Sequence, residues 1–398
     1  MCDVISRAMS RAGELPESSR RRFLQGMGAT AVAGGMLMAG TGTARAHSGG
    51  GGRNHPVATR TRLILLGVGG GPAYTRSDVF GISTAVVYEN RVYLVDAGLG
   101  SYRRLVQSGL AAQPTAPSSL TNVRGIFFTH LHSDHITDWP AMYVTGPSNR
   151  TGRPAGDRIA VRGPGRRDTL PRLFRPNLPE PELVNPDDPT PGIAGMTGYL
   201  RQAFASDFND RARDGSGTAP DALFDVQDID LSGIWEIDPE GRPPRLPRPI
   251  EVWQDGEVRI TATLVDHHPT APSFGFRFDT PDGSIVVSGD TTVSQNLIDL
   301  ARNTDYLVHE VIDPVFVDEI VARTPPDLRE GLREHLLESH TTIEQVGRDV
   351  AEPARVRHLV LNHLVPNDPS PLRWAAAQSG YSGTLTVGTD LLQLGVGR

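Results

Sequence analysis

Thr129-His130-Leu131-His132-Ser133-Asp134-His135 places three histidines and an aspartate within six consecutive positions, directly after the apolar residues 123–128. That stretch reads as a buried strand, so the cluster lies where a strand ends and a loop begins. His130 and His132 project the same way while the backbone stays extended. Asp134 and His135 follow on the turn into the next element. Neutral imidazole and carboxylate are groups that divalent zinc accepts as ligands. Four of them exceed what one zinc takes from a single short segment, which points to two metals.

Working outward, the same chemistry recurs at strand ends. Residues 257–265 read as a strand leading into Asp266-His267-His268-Pro269, and residues 284–288 as another ending in Gly289-Asp290-Thr291. Residues 306–308 run into His309-Glu310, and residues 359–361 into Asn362-His363. Ser339-His340-Thr341-Thr342 precedes a helix to about Ala351, with Thr341 or Thr342 as cap and Glu344 in its first turn. Counting both His267 and His268, eight of the twelve histidines sit in such places or in the first cluster. Chance burial would not sort them so.

Upstream, residues 62–68 form a strand that Gly69-Gly70-Gly71-Pro72 breaks. The glycine run lacks the Lys-Ser/Thr and helix of a phosphate-cradling loop, so it reads as a tight turn with little Cβ bulk. Residues 82–88 and 91–95 make a hairpin ending at Asp96, with a helix following to about Gly109. Asp96 is either a plain cap or an acceptor for a ligand histidine, the partner such ligands need.

The 398 residues are enough for one large domain or two smaller ones, and the net charge of −7 argues against a general nucleic-acid binder. All 39 basic residues are arginine, as a coding bias would give. Cys2 is the only cysteine, which excludes an internal disulfide and a cysteine-rich metal site.

Ser19-Arg20-Arg21-Arg22-Phe23-Leu24-Gln25 resembles the twin-arginine export motif. A Gly/Ala-rich run over 26–40 is too short and too weakly apolar to span a membrane, and Ala44-Arg45-Ala46 supplies a small-x-small cleavage site. Residues 1–46 therefore read as a signal peptide and 47–60 as a Gly-rich linker. The expected location is periplasmic or secreted, with the twin-arginine machinery as a partner and no stable membrane span after cleavage. That route carries folded proteins, which implies metal loading before export. Removing residues 1–46, with six arginines against Asp3, Glu14 and Glu17, takes the net charge from −7 to −10. It also removes Cys2, which suits an oxidising compartment.

The domain proper covers 61–398. Its middle, about 166–249, reads as an Arg- and Pro-rich insertion after a strand at 158–162. The one regular pattern there is a helix over 194–213, with Tyr199, Phe204 and Phe208 near one side. Arg150, Arg153, Arg158, Arg162, Arg166, Arg167, Arg172 and Arg175 lie close in sequence. They would steer an anionic substrate, or simply form a solvated rim.

The order His130-x-His132-x-Asp134-His135, then His267, Asp290 in Gly-Asp-Thr, and His363, resembles the metallo-β-lactamase superfamily. Phe274-Gly275-Phe276-Arg277, His309-Glu310, and His340 upstream of Asn362-His363 resemble its ribonuclease Z and arylsulfatase-like branch. The resemblance covers roughly 61–398. It implies an α/β fold, an αββα sandwich of two mixed sheets between helical layers with the metals at one sheet edge. It also implies that one zinc takes His130, His132 and His267, and the other Asp134, His135 and His363, with Asp290 bridging. His267 is preferred to His268 for its distance from Phe274-Gly275. His340 then matches the branch's proton-donating histidine, with His309 and Glu310 behind it. Manganese or iron would suit the same ligands.

The expected activity is hydrolysis of a sulfate or phosphodiester ester by a metal-bridging hydroxide, with Asp134 accepting the water's proton and His340 protonating the leaving group. The expected substrate is a small anionic ester rather than nucleic acid, because an exported acidic protein would not meet transfer-RNA precursors. The alternatives are a ribonuclease Z-type endoribonuclease, a lactonase or β-lactamase, or a non-catalytic metal-binding protein. A homodimer is usual in the branch.

Overall fold

A computed structural model of the chain describes residues 59–73, 76–173, 179–215, 217 and 219–397. The expected leader, 1–46, and most of the linker lie outside the described residues.

The first half lays down β1 (Thr61–Gly67), β2 (Ser83–Tyr88), β3 (Arg91–Val95), helix α1 (Ser101–Gln107), β4 (Val123–Phe127), α2 (Ser133–Ile136), α3 (Trp139–Thr145) and β5 (Ile159–Pro164). Helices α4 (Ile193–Ala203) and α5 (Ala205–Arg213) and strand β6 (Phe224–Ile229) follow. The second half has β7 (Ile250–Asp255), β8 (Val258–Leu264), β9 (Phe274–Thr280), β10 (Gly283–Val287), α6 (Gln295–Leu300), β11 (Tyr306–Ile312), α7 (Pro314–Arg323) and α8 (Arg329–Glu338). It ends with α9 (Ile343–Gln345), β12 (His358–Val365), α10 (Pro371–Trp374), β13 (Thr384–Val387) and β14 (Gln393–Val396).

The strands form two seven-stranded sheets, ordered β14-β1-β2-β3-β4-β5-β6 and β13-β12-β11-β10-β9-β8-β7. In each, antiparallel pairing gives way to parallel pairing, at β3/β4 in one and at β10/β11 in the other. Both sheets are therefore mixed, as expected.

Strands β1, β2 and β3 are buried along nearly their whole length because both faces are covered. In β1, Leu63 and Leu65 enter the core shared with the second sheet, while Ile64 and Leu66 enter a separate core under the helices. Leu105 of α1, Trp139, Met142 and Tyr143 of α3 and Ile193 of α4 fill that outer core. Between the sheets, Phe127 packs against Phe276 and Phe278, both with ring centroids 5.6 Å away. Each buried ring contributes about 1.5–3 kcal/mol by leaving water.

Three features depart from the sequence reading. The helix expected over 194–213 is two helices, interrupted at Phe204, whose ψ of 16° leaves the helical region. The region 166–249 contributes β6, a strand of the first sheet; its alternating, half-exposed Phe224-Asp225-Val226-Gln227-Asp228-Ile229 gave no apolar run to read. Strands β13 and β14 are short and half-exposed and were equally invisible. Among the described residues no helix is long and apolar enough to cross a membrane.

Candidate metal centre

The seven expected ligands converge where strand ends of the two sheets meet. Thr129, just past β4, ties the sheets together, since its carbonyl accepts from Phe274 N of β9 at 2.9 Å. His130 follows at once, and Asp134 and His135 lie on α2. Asp290 lies beyond β10, after Gly289, whose φ is +62° and whose added Cβ would meet Phe274 O at 2.7 Å. Only glycine lets the chain turn there so close to its neighbour. His363 sits in β12 where the register with β11 shifts, and its φ is +42°. Such a bulge re-aims a side chain at a sheet edge.

Two sets of donors result. His130, His132 and His267 form one; Asp134, His135, Asp290 and His363 form the other. In the first, His132 Nδ1 lies 3.0 Å from His130 Nε2 and 3.3 Å from His267 Nε2. In the second, His363 Nε2 is 3.2 Å from Asp134 Oδ2, and His135 Nε2 is 3.3 Å from Asp290 Oδ2. Ligands about 2.0–2.1 Å from a tetrahedral zinc stand roughly 3.3–3.4 Å apart. Asp290 Oδ2 also lies 3.8 Å from His130 Nε2 and 4.0 Å from His267 Nε2, so it adjoins both sets.

The far nitrogens of four of the five imidazoles are tied back. His135 Nδ1 donates to Asp96 Oδ2 at 2.8 Å, and a carboxylate can only accept, so Nε2 presents its lone pair to the site. Asp96 also receives Thr129 N and Oγ1, each at 2.8 Å. His267 Nδ1 donates to Ser339 O at 2.8 Å, His130 Nδ1 meets Thr129 Oγ1 at 3.1 Å, and His132 Nε2 meets Thr270 Oγ1 at 3.0 Å. His268 turns away, with Nδ1 on Asp266 Oδ1 at 2.8 Å. Of the two neighbours, His267 is the one brought to the site.

Electrostatics favour a cation here. Burial, with neighbouring imidazoles, holds His130 well below its usual pKa and keeps it neutral. Burial does the same to His267. Although burial opposes their charge, His363 and His135 hold the Asp290 carboxyl well below the carboxylate range, and His135 and His363 hold Asp134 below it. Burial likewise opposes the charge on His135, yet Asp290, Asp96 and Asp134 push it well up. The field that favours a proton there favours a metal ion. Asp290 Oδ1 and His135 Nε2 are buried without a hydrogen-bond partner. Among the described residues no arginine pairs with Asp96, Asp134, Asp290 or Glu310. The only charges among the described residues that face these buried carboxylates are imidazoles, and divalent cations held by the same imidazoles would neutralise them more fully. The donors present thus fit a metal centre.

His340 stands beside the second set, with Nδ1 3.1 Å from Glu310 Oε1 and 3.9 Å from Asp290 Oδ2. Burial lowers its basicity, but Glu310, Asp290 and Asp134 together raise the imidazole to about 9. Glu310 Oε1 also receives Thr291 N at 3.0 Å and Thr341 N at 3.2 Å. His309 is not brought to His340; its Nδ1 meets the carbonyl of Glu310 at 2.7 Å, and none of the donor sets includes it. Thr342, with Gln345, caps α9.

Much of the arginine charge expected to steer substrate is consumed internally. Arg153 is buried and donates to the carbonyls of Leu120, Thr121 and Val123. Arg158 and Arg162 pair with Asp225, and Arg166 with Asp168 and Asp188. Arg172 pairs with Glu240 and Glu334. Buried Arg167 donates to the carbonyls of Pro269, Asp238 and Pro239, which clasps the turn carrying His267. Arg175 lies outside the described residues. Three supporting roles escaped the sequence reading. Ser339 acts through its carbonyl, Thr270 is one hydroxyl in an irregular loop, and the Gly69–Gly71 run reads as a tight turn, although Gly71 N donates to Asp134 Oδ2 at 2.9 Å.

Residues 77–350 match the family profile described as "Metallo-beta-lactamase superfamily". The ribonuclease Z of Mycolicibacterium gilvum (strain PYR-GCK) is 26% identical over 332 residues, covering 83% of this chain and 94% of that one. That of Mycobacterium avium (strain 104) is 28% identical over 334 residues, covering 83% and 96%. Among solved structures, human tRNase Z, short form, superposes with a TM-score of 0.50 at 17% identity, covering 84% of this chain and 99% of that one. The two mycobacterial ribonuclease Z relatives overturn the expectation that nucleic acid is an improbable partner. Net charge averages over the whole surface, so it could not exclude a local nucleic-acid site.

Proposed function

Because the chain belongs to the metallo-beta-lactamase superfamily, whose hydrolytic, metal-dependent chemistry its donor sets suit, we propose that it is a dinuclear zinc phosphodiesterase of the ribonuclease Z type acting on RNA. The single observation that carries this is the pair of donor sets that Asp290 adjoins, with a carboxylate-backed histidine beside them. The ribonuclease Z relatives, matched over most of their own length, support RNA as the substrate class.

The residues divide the work. His130, His132 and His267 would hold one ion; Asp134, His135 and His363 the other; Asp290 both. Bound there, two divalent ions would lower the pKa of water and polarise a phosphoryl oxygen. Asp134, beside His135 and His363 in the second set, would accept the proton of the attacking water. Asp96 and the Ser339 carbonyl keep His135 and His267 in the tautomer that faces the site. Glu310 keeps a proton on His340 Nδ1, leaving Nε2–H to be given to the departing alkoxide.

The test is a rate comparison of the zinc-loaded chain on a transfer-RNA precursor, bis-nitrophenyl phosphate, nitrophenyl sulfate and a simple lactone, with His130→Ala as blank. Precise endonucleolytic cleavage of the precursor is the expected result. Turnover of the sulfate or the lactone alone would overturn the RNA reading.

We also propose that residues 1–46 direct export by the twin-arginine route, in which case the RNA met in the cell lies outside the cytoplasm and the transfer-RNA precursor serves as a test substrate only. A reporter active only outside the cytoplasm, fused after residue 60, should work and should fail with Arg20, Arg21 and Arg22 changed to Gln. An active reporter in the changed fusion would refute it.

A further inference from the structure

His363 differs from the other four imidazoles of the centre. Its far nitrogen, Nδ1, is buried and has no hydrogen-bond partner, whereas those of His130, His132, His135 and His267 are all bonded. Metal-binding histidines ordinarily need that bond to fix the ring. At His363 the backbone of Gly70 stands in that place. A Cβ added to Gly70 would meet three atoms of the His363 ring before any other, at 2.5 Å from Nδ1, 2.7 Å from Cε1 and 2.8 Å from Cγ. Gly70 is not among the glycines with positive φ, so space and not backbone conformation is what demands glycine here.

The next residue reaches the same donor set. Gly71 N donates to Asp134 Oδ2 at 2.9 Å, the oxygen that lies 3.2 Å from His363 Nε2. The loop is itself held firmly. Gly70 N donates to Leu364 O at 3.3 Å, and Leu364 N to Val68 O at 2.8 Å. Gly69 N donates to Phe80 O at 2.9 Å. The Asp390 carboxylate receives Val68 N at 3.1 Å and Phe80 N at 2.9 Å, which closes the base of the loop.

We propose that Gly70 is a positioning residue for the second metal, its bare backbone serving as the flat stop that sets the His363 ring. This rests on the dinuclear reading above. A methyl group at position 70 must push the ring off its line to Asp134 and Asp290, or lift the loop and take the Gly71 bond with it. Either movement spoils one donor set and leaves His130, His132 and His267 untouched.

The experiment counts zinc per chain by elemental analysis, and follows cobalt absorption on titrating the metal-free protein. The wild type should take up two equivalents. Gly70→Ala should keep one, its second-site dissociation constant rising about 10–100-fold, with the melting temperature of the metal-free protein unchanged. Two tightly held ions in Gly70→Ala would overturn the proposal. A wild type that takes up only one ion would overturn the dinuclear reading, and this inference with it. If Gly70→Ala does not fold, the double variant Gly70→Ala/His363→Ala decides, because removing the ring restores the space. Recovery of folding supports the contact, and continued failure refutes it.

Discussion

Glu310 Oε1 lies 3.1 Å from His340 Nδ1 and also receives the backbone N–H groups of Thr291 and Thr341. A carboxylate with three donors on one oxygen is fixed, and it fixes the ring. His340 is thereby oriented with Nε2–H free to be given away. His340→Ala should slow hydrolysis of an alkyl phosphodiester by about 10²–10⁴-fold, and hydrolysis of the nitrophenyl diester far less, because nitrophenoxide leaves without a proton. Glu310→Gln should show the same pattern more weakly. Equal losses on both substrates would remove His340 from the leaving-group step.

Asp290 Oδ2 adjoins both donor sets, within 3.3–4.0 Å of His135, His363, His130 and His267. The two sets are thus unequal to single losses. Asp290→Ala should weaken both ions and abolish activity, whereas His267→Ala should weaken chiefly the ion of its own trio. Metal content after dialysis against a mild chelator separates the two outcomes. Asp290→Ala retaining two ions would show that Asp290 is no bridge.

The ligand set was legible in the sequence because each ligand class has a local sign. His130, His132, Asp134 and His135 share one short run, and Asp290 and His363 come after the apolar runs 285–287 and 359–361, which the larger core buries. What supports them was not legible, because its chemistry is not carried by a distinctive side chain. Ser339 offers a carbonyl, Gly70 offers the absence of a Cβ, and Arg167 acts on backbone oxygens far along the chain. The same limit hid β6 and β14, half-exposed edge strands whose partners lie elsewhere in sequence.

Asp390 binds Val68 N, Phe80 N and the Arg104 guanidinium, yet burial raises its carboxyl to about 6 in spite of those donors. Its folded pKa thus exceeds the unfolded value of about 3.9. Between those values the folded state binds more protons than the unfolded, so this group's contribution falls as pH rises from about 4 to 6 and stays lost above. The loss is on the order of 2 kcal/mol. Asp390→Asn, which cannot ionise, should flatten that slope. Denaturant unfolding of the metal-free proteins at pH 4, 5, 6 and 7 measures it. Parallel wild-type and variant curves would mean that Asp390 does not titrate there.

Arg167 is buried, and the carbonyls it grips belong to two separate segments, Asp238-Pro239 and Pro269. Burial lowers its pKa, with Asp238 partly offsetting the shift. A guanidinium spreads several donors in one plane and can hold both segments at once; an ammonium is a compact point charge and cannot. Pro269 lies two residues beyond His267, so releasing it frees the turn that aims that imidazole. Arg167→Met keeps the apolar stem but takes the donor from Pro269 O, while Asp238 O and Pro239 O keep Gly241 N and Arg172 N. It should cost about 1–3 kcal/mol of stability. It should also lower affinity for the ion held by His130, His132 and His267, while the ion near His363 stays. Arg167→Lys should recover little of either. If Arg167→Met lost stability with both metal affinities unchanged, the clasp would be a fold element with no hold on His267.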